Sequence, residues 1–424
     1  MRKLLLTQLL MLFFVIQLSA QTTKEAVFED INKAGGVYYA YPSKDIIPQT
    51  RAPKGYKPFY ISHFGRHGSR YLISDDQYKS VIDLLALARK ESALTPLGED
   101  VYKRLLILWK EVEFKGGDLS PLGVREQRGI AERMATSYPE IFSKKVAIDA
   151  YSTMVVRCVL SMDAFCERLK EINPALNISR DSSMKHQRYL NHHTKEAIAF
   201  RSAPNTWKEE YNKFVDERMD ATRLVNSIFS KPDFILKKVN PRNFMWGMYS
   251  IAIGMQNVET DLSFYDVFEK EELFKIWECE NFKNYVNDAN YAGSKGLMFE
   301  NAKPVLKEII KGADAMIESN GVGASLKFAH DGNIIPLALL LHLENSYNSI
   351  DNASDFYKAW SNFIIAPMAG NIQMVFYRKN KSDDVLVKFL LHEKEIQIPS
   401  VKTDIAPYYH WKDIKSFYNT LLNK

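Results

Sequence analysis

Three times in this chain an apolar, strand-like run gives way to turn residues and then to helical periodicity. The segments are Lys57–His63 (KPFYISH) ahead of a loop holding Gly65 and Gly68, Lys144–Thr153 (KKVAIDAYST), and Ala324–Asn333 (ASLKFAHDGN), which leads into IIPLALLLHL. Strand-length runs followed by helices point to α/β construction, with helices covering a sheet. Ligands of open α/β sheets bind beyond the carboxyl ends of the strands. The three junction loops are therefore expected to converge on one crevice.

The first junction is the most informative. Arg66, His67 and Arg70 fall within five residues in GRHGSR, and cations this dense repel one another unless an anion sits among them. Glycine lets the backbone approach a ligand, two guanidinium forks can hold the oxygens of one tetrahedral anion, and an imidazole between them can attack its phosphorus. Neighbouring arginines also lower the pKa of the histidine, which favours its neutral, nucleophilic form. The plainer reading is a solvated basic turn.

At the second junction, Arg157 falls near the first turn of a helix whose apolar face is Cys158, Val159, Met162, Phe165, Cys166 and Leu169. The helix dipole disfavours a cation there, and an anion shared with the helix start would reverse that penalty. The third junction carries His330 and Asp331. The histidine can donate to phosphate and the adjacent carboxyl can protonate a leaving alcohol; alternatively, Asp331 only caps the following helix.

Elsewhere, Thr95-Pro96 and Ser120-Pro121 mark helix starts, each with a capping hydroxyl and a proline at the first helical position. From residue 185 to residue 298 aromatic and charged helical patterns dominate, which reads as a mostly helical insertion dividing an α/β domain into 21–184 and 299–424. NIQMVFYR and DVLVKFLL, separated by Lys-Ser-Asp-Asp, read as a hairpin. Within KHQRYLNHH, Lys185 and Arg188 are candidate contacts for anionic groups that do not react. His186, His192 and His193 have no carboxylate at ligand spacing, so no metal site is expected; they read as a solvated loop or, with Lys185 and Arg188, as lining the basic mouth of the site.

Residues 1–20 combine Arg2 and Lys3, an apolar core and Leu-Ser-Ala before Gln21, the pattern of a cleaved secretory signal. Its removal, which takes no acidic residue, lowers the formal charge from +5 to +3. That is too mild to imply nucleic acid, and no later run is suited to spanning a membrane. Cys158 and Cys166 would stand about 12 Å apart along one helix and cannot bond each other. Gly-x-Ser-x-Gly, phosphate-loop and His-Glu-x-x-His motifs are absent.

GRHGSR after a strand, an arginine in a strand-to-helix loop about ninety residues on and HDGN after a later strand together resemble the histidine acid phosphatase branch of the histidine phosphatase superfamily. This group includes phytases and multiple inositol-polyphosphate phosphatases. The resemblance spans roughly residues 55 to 400, and MAGNIQMVFYR leans toward the inositol-polyphosphate phosphatases. It implies an α/β fold like that of phosphoglycerate mutase: a large domain with a central mixed sheet flanked by helices, plus a helical cap over the site. It also implies His67 as a nucleophile forming a phosphohistidine, Arg66, Arg70, Arg157 and His330 as phosphate ligands, Asp331 as proton donor, and no cofactor.

Two departures stand out: Leu72 where members often carry proline, and His330-Asp331-Gly332 where the inositol-polyphosphate group often has His-Ala-Glu. The expected protein is a periplasmic or secreted phosphomonoesterase acting on a small phosphorylated substrate, phytate foremost. A broad acid phosphatase or sugar-phosphatase and a non-catalytic phospho-ligand binder are the alternatives.

Overall fold

The computed structural model describes residues 23–424; the expected signal segment, 1–20, lies outside them. One mixed sheet holds all eight described strands: β1 (Tyr56–Arg66), β2 (Ala147–Ser152), β3 (Asn177–Asp181), β4 (Gly323–Ala329), β5 (Asn371–Lys379), β6 (Val385–Leu391), β7 (Lys394–Ile396) and β8 (Tyr408–His410). Their order is β3-β2-β4-β1-β5-β6-β7, with β8 also on β6. Strands β1 to β4 are parallel, while β5 and β6 form the antiparallel hairpin. The register pairs Arg66 with Ala329 and Ser152 with Phe328, so the carboxyl ends of β1, β2 and β4 finish level. The antiparallel β5 brings its first residue, Asn371, opposite Gly65 at the same edge.

Side-chain alternation gives the sheet two faces. Ile61, Ile148, Leu326, Phe328 and Val375 pack under the helices Pro121–Ser137 and Val156–Ile172. Tyr60, Phe64, Met374, Phe376 and Phe389 belong to a larger apolar cluster on the other side. All described elements between β3 and β4 are helical. The helices Asp76–Lys90 and Pro96–Val112, which precede that region, share its core: Val81 touches Gly247, and Leu94 bridges to Phe229. Helix starts follow the sequence signals, since Thr95 and Ser120 accept from the amides of Gly98 and Gly123. All three cysteines are buried and free, and no described helix is long and apolar enough to cross a membrane.

His63 sits between the rings of Phe165 and Phe328, fully buried and with no partner for either nitrogen. Burial, reinforced by Lys327, pushes its pKa down to about 3. Unfolded, the ring titrates near 6.5, so below that pH the unfolded chain binds the proton that the folded one refuses. Its contribution to stability is whole above about 6.5 and declines as pH falls toward 3, by about 1.4 kcal/mol per unit. His63→Leu is expected to match the wild type at pH 7.5 apart from a constant offset. It should gain on the wild type by about that slope in urea denaturation between pH 6 and 4.5. Parallel profiles would show that the ring is protonated in the fold.

Candidate active site

The loops leaving β1, β2 and β4 meet where the strand ends align. Arg66 is the last residue of β1, and His67 follows it, held by its amide to the Ala329 carbonyl and by its own carbonyl to the Ala369 amide. Gly68 then lies against the first turn of the helix Pro121–Ser137. A Cβ there would stand 2.4 Å from the Gly123 carbonyl oxygen, and one on Gly123 would stand 2.2 Å from that of Ser69. Two glycines, one in GRHGSR and one in SPLG, therefore permit a backbone contact that no side chain would allow.

The His67 ring is buried, with Nδ1 2.9 Å from the Gly68 carbonyl. A carbonyl only accepts, so Nδ1 carries the proton and Nε2 keeps its lone pair. Burial lowers the pKa well below the ordinary histidine value, and Arg66, Arg70 and Arg157 lower it further. The ring is neutral across the physiological range, as a nucleophile requires.

Three guanidinium groups surround it. Arg66 is fully buried; its Nη1 donates to the carbonyls of Ala366, at 2.9 Å, and Val37. Nη2 lies 3.5 Å from Asp331 Oδ2, while Nε and Nη2 make no hydrogen bond. Arg70 donates through Nη1 to Tyr38 Oη and the Tyr71 carbonyl, stacks on the Tyr38 ring at 4.7 Å, and leaves Nε unspent. Arg157, the second residue of its helix, has an unspent buried Nε and reaches only the Gly117 carbonyl, at 3.5 Å. Buried guanidinium N–H groups left without acceptors are costly. Three such groups around one imidazole form a site for the oxygens of a tetrahedral anion.

His330 closes the ring. Its centroid is 5.7 Å from that of His67, and Nε2 lies 3.1 Å from Thr153 Oγ1. Burial pushes its pKa down to about 4; Asp331 opposes this and the arginines add to it. Asp331 opens the following helix with its side chain one-third exposed. Burial pushes its carboxyl up, but Arg66, Arg70 and His330 outweigh that and hold it down at about 2.

The structure thus brings together Arg66, His67, Arg70, Arg157, His330 and Asp331. Lys185 and Arg188 are not with them. Expected near the mouth of this crevice, they line a separate cavity against the sheet, because the helix Met184–Leu190 packs on β2, β4 and the helix Leu297–Glu318. Of the three nearby histidines, His186 is paired with Asp181 and stacked on Tyr151. No group of three potential metal ligands occurs among the described residues.

Several residues at the site have no counterpart among the sequence expectations. The buried Glu126 accepts from the amides of Tyr41 and Ser69, at 2.9 and 2.7 Å, and Gln127 donates to the Arg66 carbonyl. Together they anchor the GRHGSR loop. A carboxylate and an amide at inward positions between Gly123 and Ile130 are a legible signal, because buried polar groups need partners. Asp288 reaches Gly332 from the helical region with Arg201 behind it, and His193, a histidine of KHQRYLNHH expected at the mouth of the site, lies beside them. Arg201 donates to Asp288 at 2.6 Å and lies 3.2 Å from His193 Nδ1, while a Cβ on Gly332 would stand 3.6 Å from Asp288 Oδ1. Burial pushes the Asp288 carboxyl up to about 6; Arg201 opposes this and Asp331 adds to it. Arg201 and Asp288 are 87 residues apart, and no local pattern joins them.

Known proteins share this fold. Over 396 residues the chain is 22% identical to multiple inositol polyphosphate phosphatase 1 of Gallus gallus, covering 88% of this chain and 84% of that one. Its fold matches the Bifidobacterium longum multiple inositol polyphosphate phosphatase, solved in complex with inositol hexasulfate, with a TM-score of 0.77 at 18% identity over 91% and 97% of the two chains. The D. castellii phytase superposes with a TM-score of 0.63 at 15% identity, over 92% and 85%. The family model described as histidine phosphatase superfamily (branch 2) matches residues 65–392, from the glycine before Arg66 to the residue after β6, and the chain belongs to that family.

Proposed function

We infer that the protein is a periplasmic or secreted phosphatase that removes phosphate from inositol polyphosphates, phytate foremost, through a phosphohistidine. The observation that carries this reading is the His67 ring, fixed by Gly68 with Nε2 free and neutral, among three guanidinium groups that hold N–H donors in reserve. The names of the similar proteins favour inositol polyphosphate as substrate.

In the first step Nε2 attacks phosphorus, the bond from phosphorus to the inositol oxygen breaks, and a proton on Asp331 passes to the leaving oxygen. In the second, water attacks the phosphohistidine, Asp331 takes a proton from it, and phosphate departs while the Nε2–phosphorus bond breaks. Arg66, Arg70, Arg157 and His330 stabilise charge on the transferring group, the main catalytic contribution expected in phosphoryl transfer. The helical region 185–298 acts as the cap, with Arg201, His193 and Asp288 as its approach to the leaving-group side. Residues 1–20 export the chain.

Phosphate release from phytate, glucose phosphate and p-nitrophenyl phosphate, with and without chelator, tests the reading. Phytate is expected to have the highest kcat/KM, on the order of tenfold or more, because contacts to its remaining phosphates add binding that small esters lack. Chelator should leave the rates unchanged. Equal kcat/KM on all three would replace this reading with that of a broad acid phosphatase.

A further inference from the structure

A second polar site lies on the other side of the same sheet. Strands β1, β4 and β2 set Ser62, Ser325 and Asp149 in one register row, and Phe64, Lys327 and Tyr151 in the next. Among strands buried by helices such rows are normally apolar. Lys327 is only 3% exposed, yet among the described residues its amine donates only to the Ser325 hydroxyl, at 2.7 Å. Among the described residues it makes no salt bridge, and Glu308 and Asp149 act on it only from a distance. An ammonium has three donors, and a buried one needs an anion or acceptors to be tolerated.

Lys327 lines a cavity of about 800 Å³, bounded by the sheet and by the helices Met184–Leu190 and Leu297–Glu318. Those helices contribute Lys185, Arg188, Lys307 and Lys311, all exposed at its rim and none in a described ion pair. Two carboxylates, Asp149 and Glu308, face five cations, and Tyr60, Tyr151 and Tyr189 supply apolar wall. Burial pushes the Lys327 amine down to about 8 against the pull of Glu308 and Asp149, a cost that a bound anion would relieve. None of the six residues of the His67 cluster lines this cavity.

We propose that this cavity is a second binding site, built for a small organic polyanion bearing two or more phosphate, sulfate or carboxylate groups. The buried ammonium meets one anionic group at the floor and the four rim cations meet the others, with a tyrosine wall for the ligand's carbon frame. The volume falls in the ordinary range of small-ligand sites. The inference does not depend on the catalytic reading, since it uses none of the same residues.

Calorimetric titration with myo-inositol hexasulfate, which cannot release phosphate, tests it. Wild type should bind two equivalents, both weakening with salt. Lys307→Glu with Lys311→Glu, a surface change that leaves the fold intact, should weaken one equivalent by about tenfold or more. It should leave p-nitrophenyl phosphate turnover unchanged. Lys327→Met should weaken the same equivalent, while Arg70→Ala should remove the other. A single equivalent lost in Arg70→Ala and untouched by the lysine changes overturns the second site and leaves the phosphatase reading standing. A single equivalent lost only through the lysine changes supports the second site and undercuts the catalytic one. No binding at all overturns the proposal.

Discussion

His67→Ala is expected to reduce turnover of every phosphomonoester by a factor on the order of 10³ or more, because it removes the bond-forming atom and not merely a contact. The geometry makes a finer prediction as well. With Nδ1 committed to the Gly68 carbonyl, the phosphoryl group should form on Nε2. Rapid quench with labelled substrate should trap a phosphohistidine, labile to acid and stable to base, on the His67 peptide. Phosphorus–nitrogen correlation by NMR on the trapped protein should assign it to Nε2. Label on serine or aspartate, or full turnover in His67→Ala, would sink the mechanism. Label on Nδ1 would mean that the ring rotates away from Gly68 before it reacts. The variant should still fold, since a neutral buried ring gives way to a smaller apolar side chain, and retained binding of inorganic phosphate would check this.

That His67 stands out from the amino-acid sequence alone reflects how local its signal is. Arg66, His67, Gly68 and Arg70 are near neighbours along the chain, and β1 carries them to the edge as one unit. Arg157 and His330 join them because each follows a strand, and parallel strands in one sheet end on the same side. What is not legible depends on pairings that sequence distance hides. Tyr38, which carries the Arg70 guanidinium, lies in a short 3₁₀ stretch ahead of β1 with no apolar period to mark its role. Asn257 fixes the Tyr38 carbonyl from 219 residues away.

Lys185 and Arg188 show the opposite failure. Local density of positive charge suggests a phosphate contact, but it carries no information about which cavity a helix will face. The direction is set by packing of the helix Met184–Leu190 on β2 and β4, through buried His186 and Leu190. The helical texture of 185–298 is readable from periodicity. Its sharing of a core with the helices Asp76–Lys90 and Pro96–Val112 is not, because periodicity reports that a face is apolar without naming its partner.

Asp331→Asn should separate leaving groups. Inositol alkoxides need a proton as the bond breaks, whereas p-nitrophenolate leaves almost unaided, so the variant should lose on the order of 10² to 10³ in kcat on phytate and far less on p-nitrophenyl phosphate. The electrostatics sharpen this. Arg66, Arg70 and His330 hold the Asp331 carboxyl at about 2, so the free enzyme carries a carboxylate and not an acid at working pH. A phosphomonoester bound to Arg66, Arg70 and Arg157 cancels the charges responsible, and its own negative charge favours the protonated carboxyl. The pKa must therefore rise on binding. Since kcat reports the complex and kcat/KM the free enzyme, the alkaline limb of kcat on phytate should lie at higher pH than that of kcat/KM, and it should vanish in Asp331→Asn. Equal losses on both substrates, or an alkaline limb unmoved in the variant, would assign Asp331 to positioning the helix that follows it and pass the proton to another group. Asp288, already raised to about 6 beside Gly332, would be the first to test.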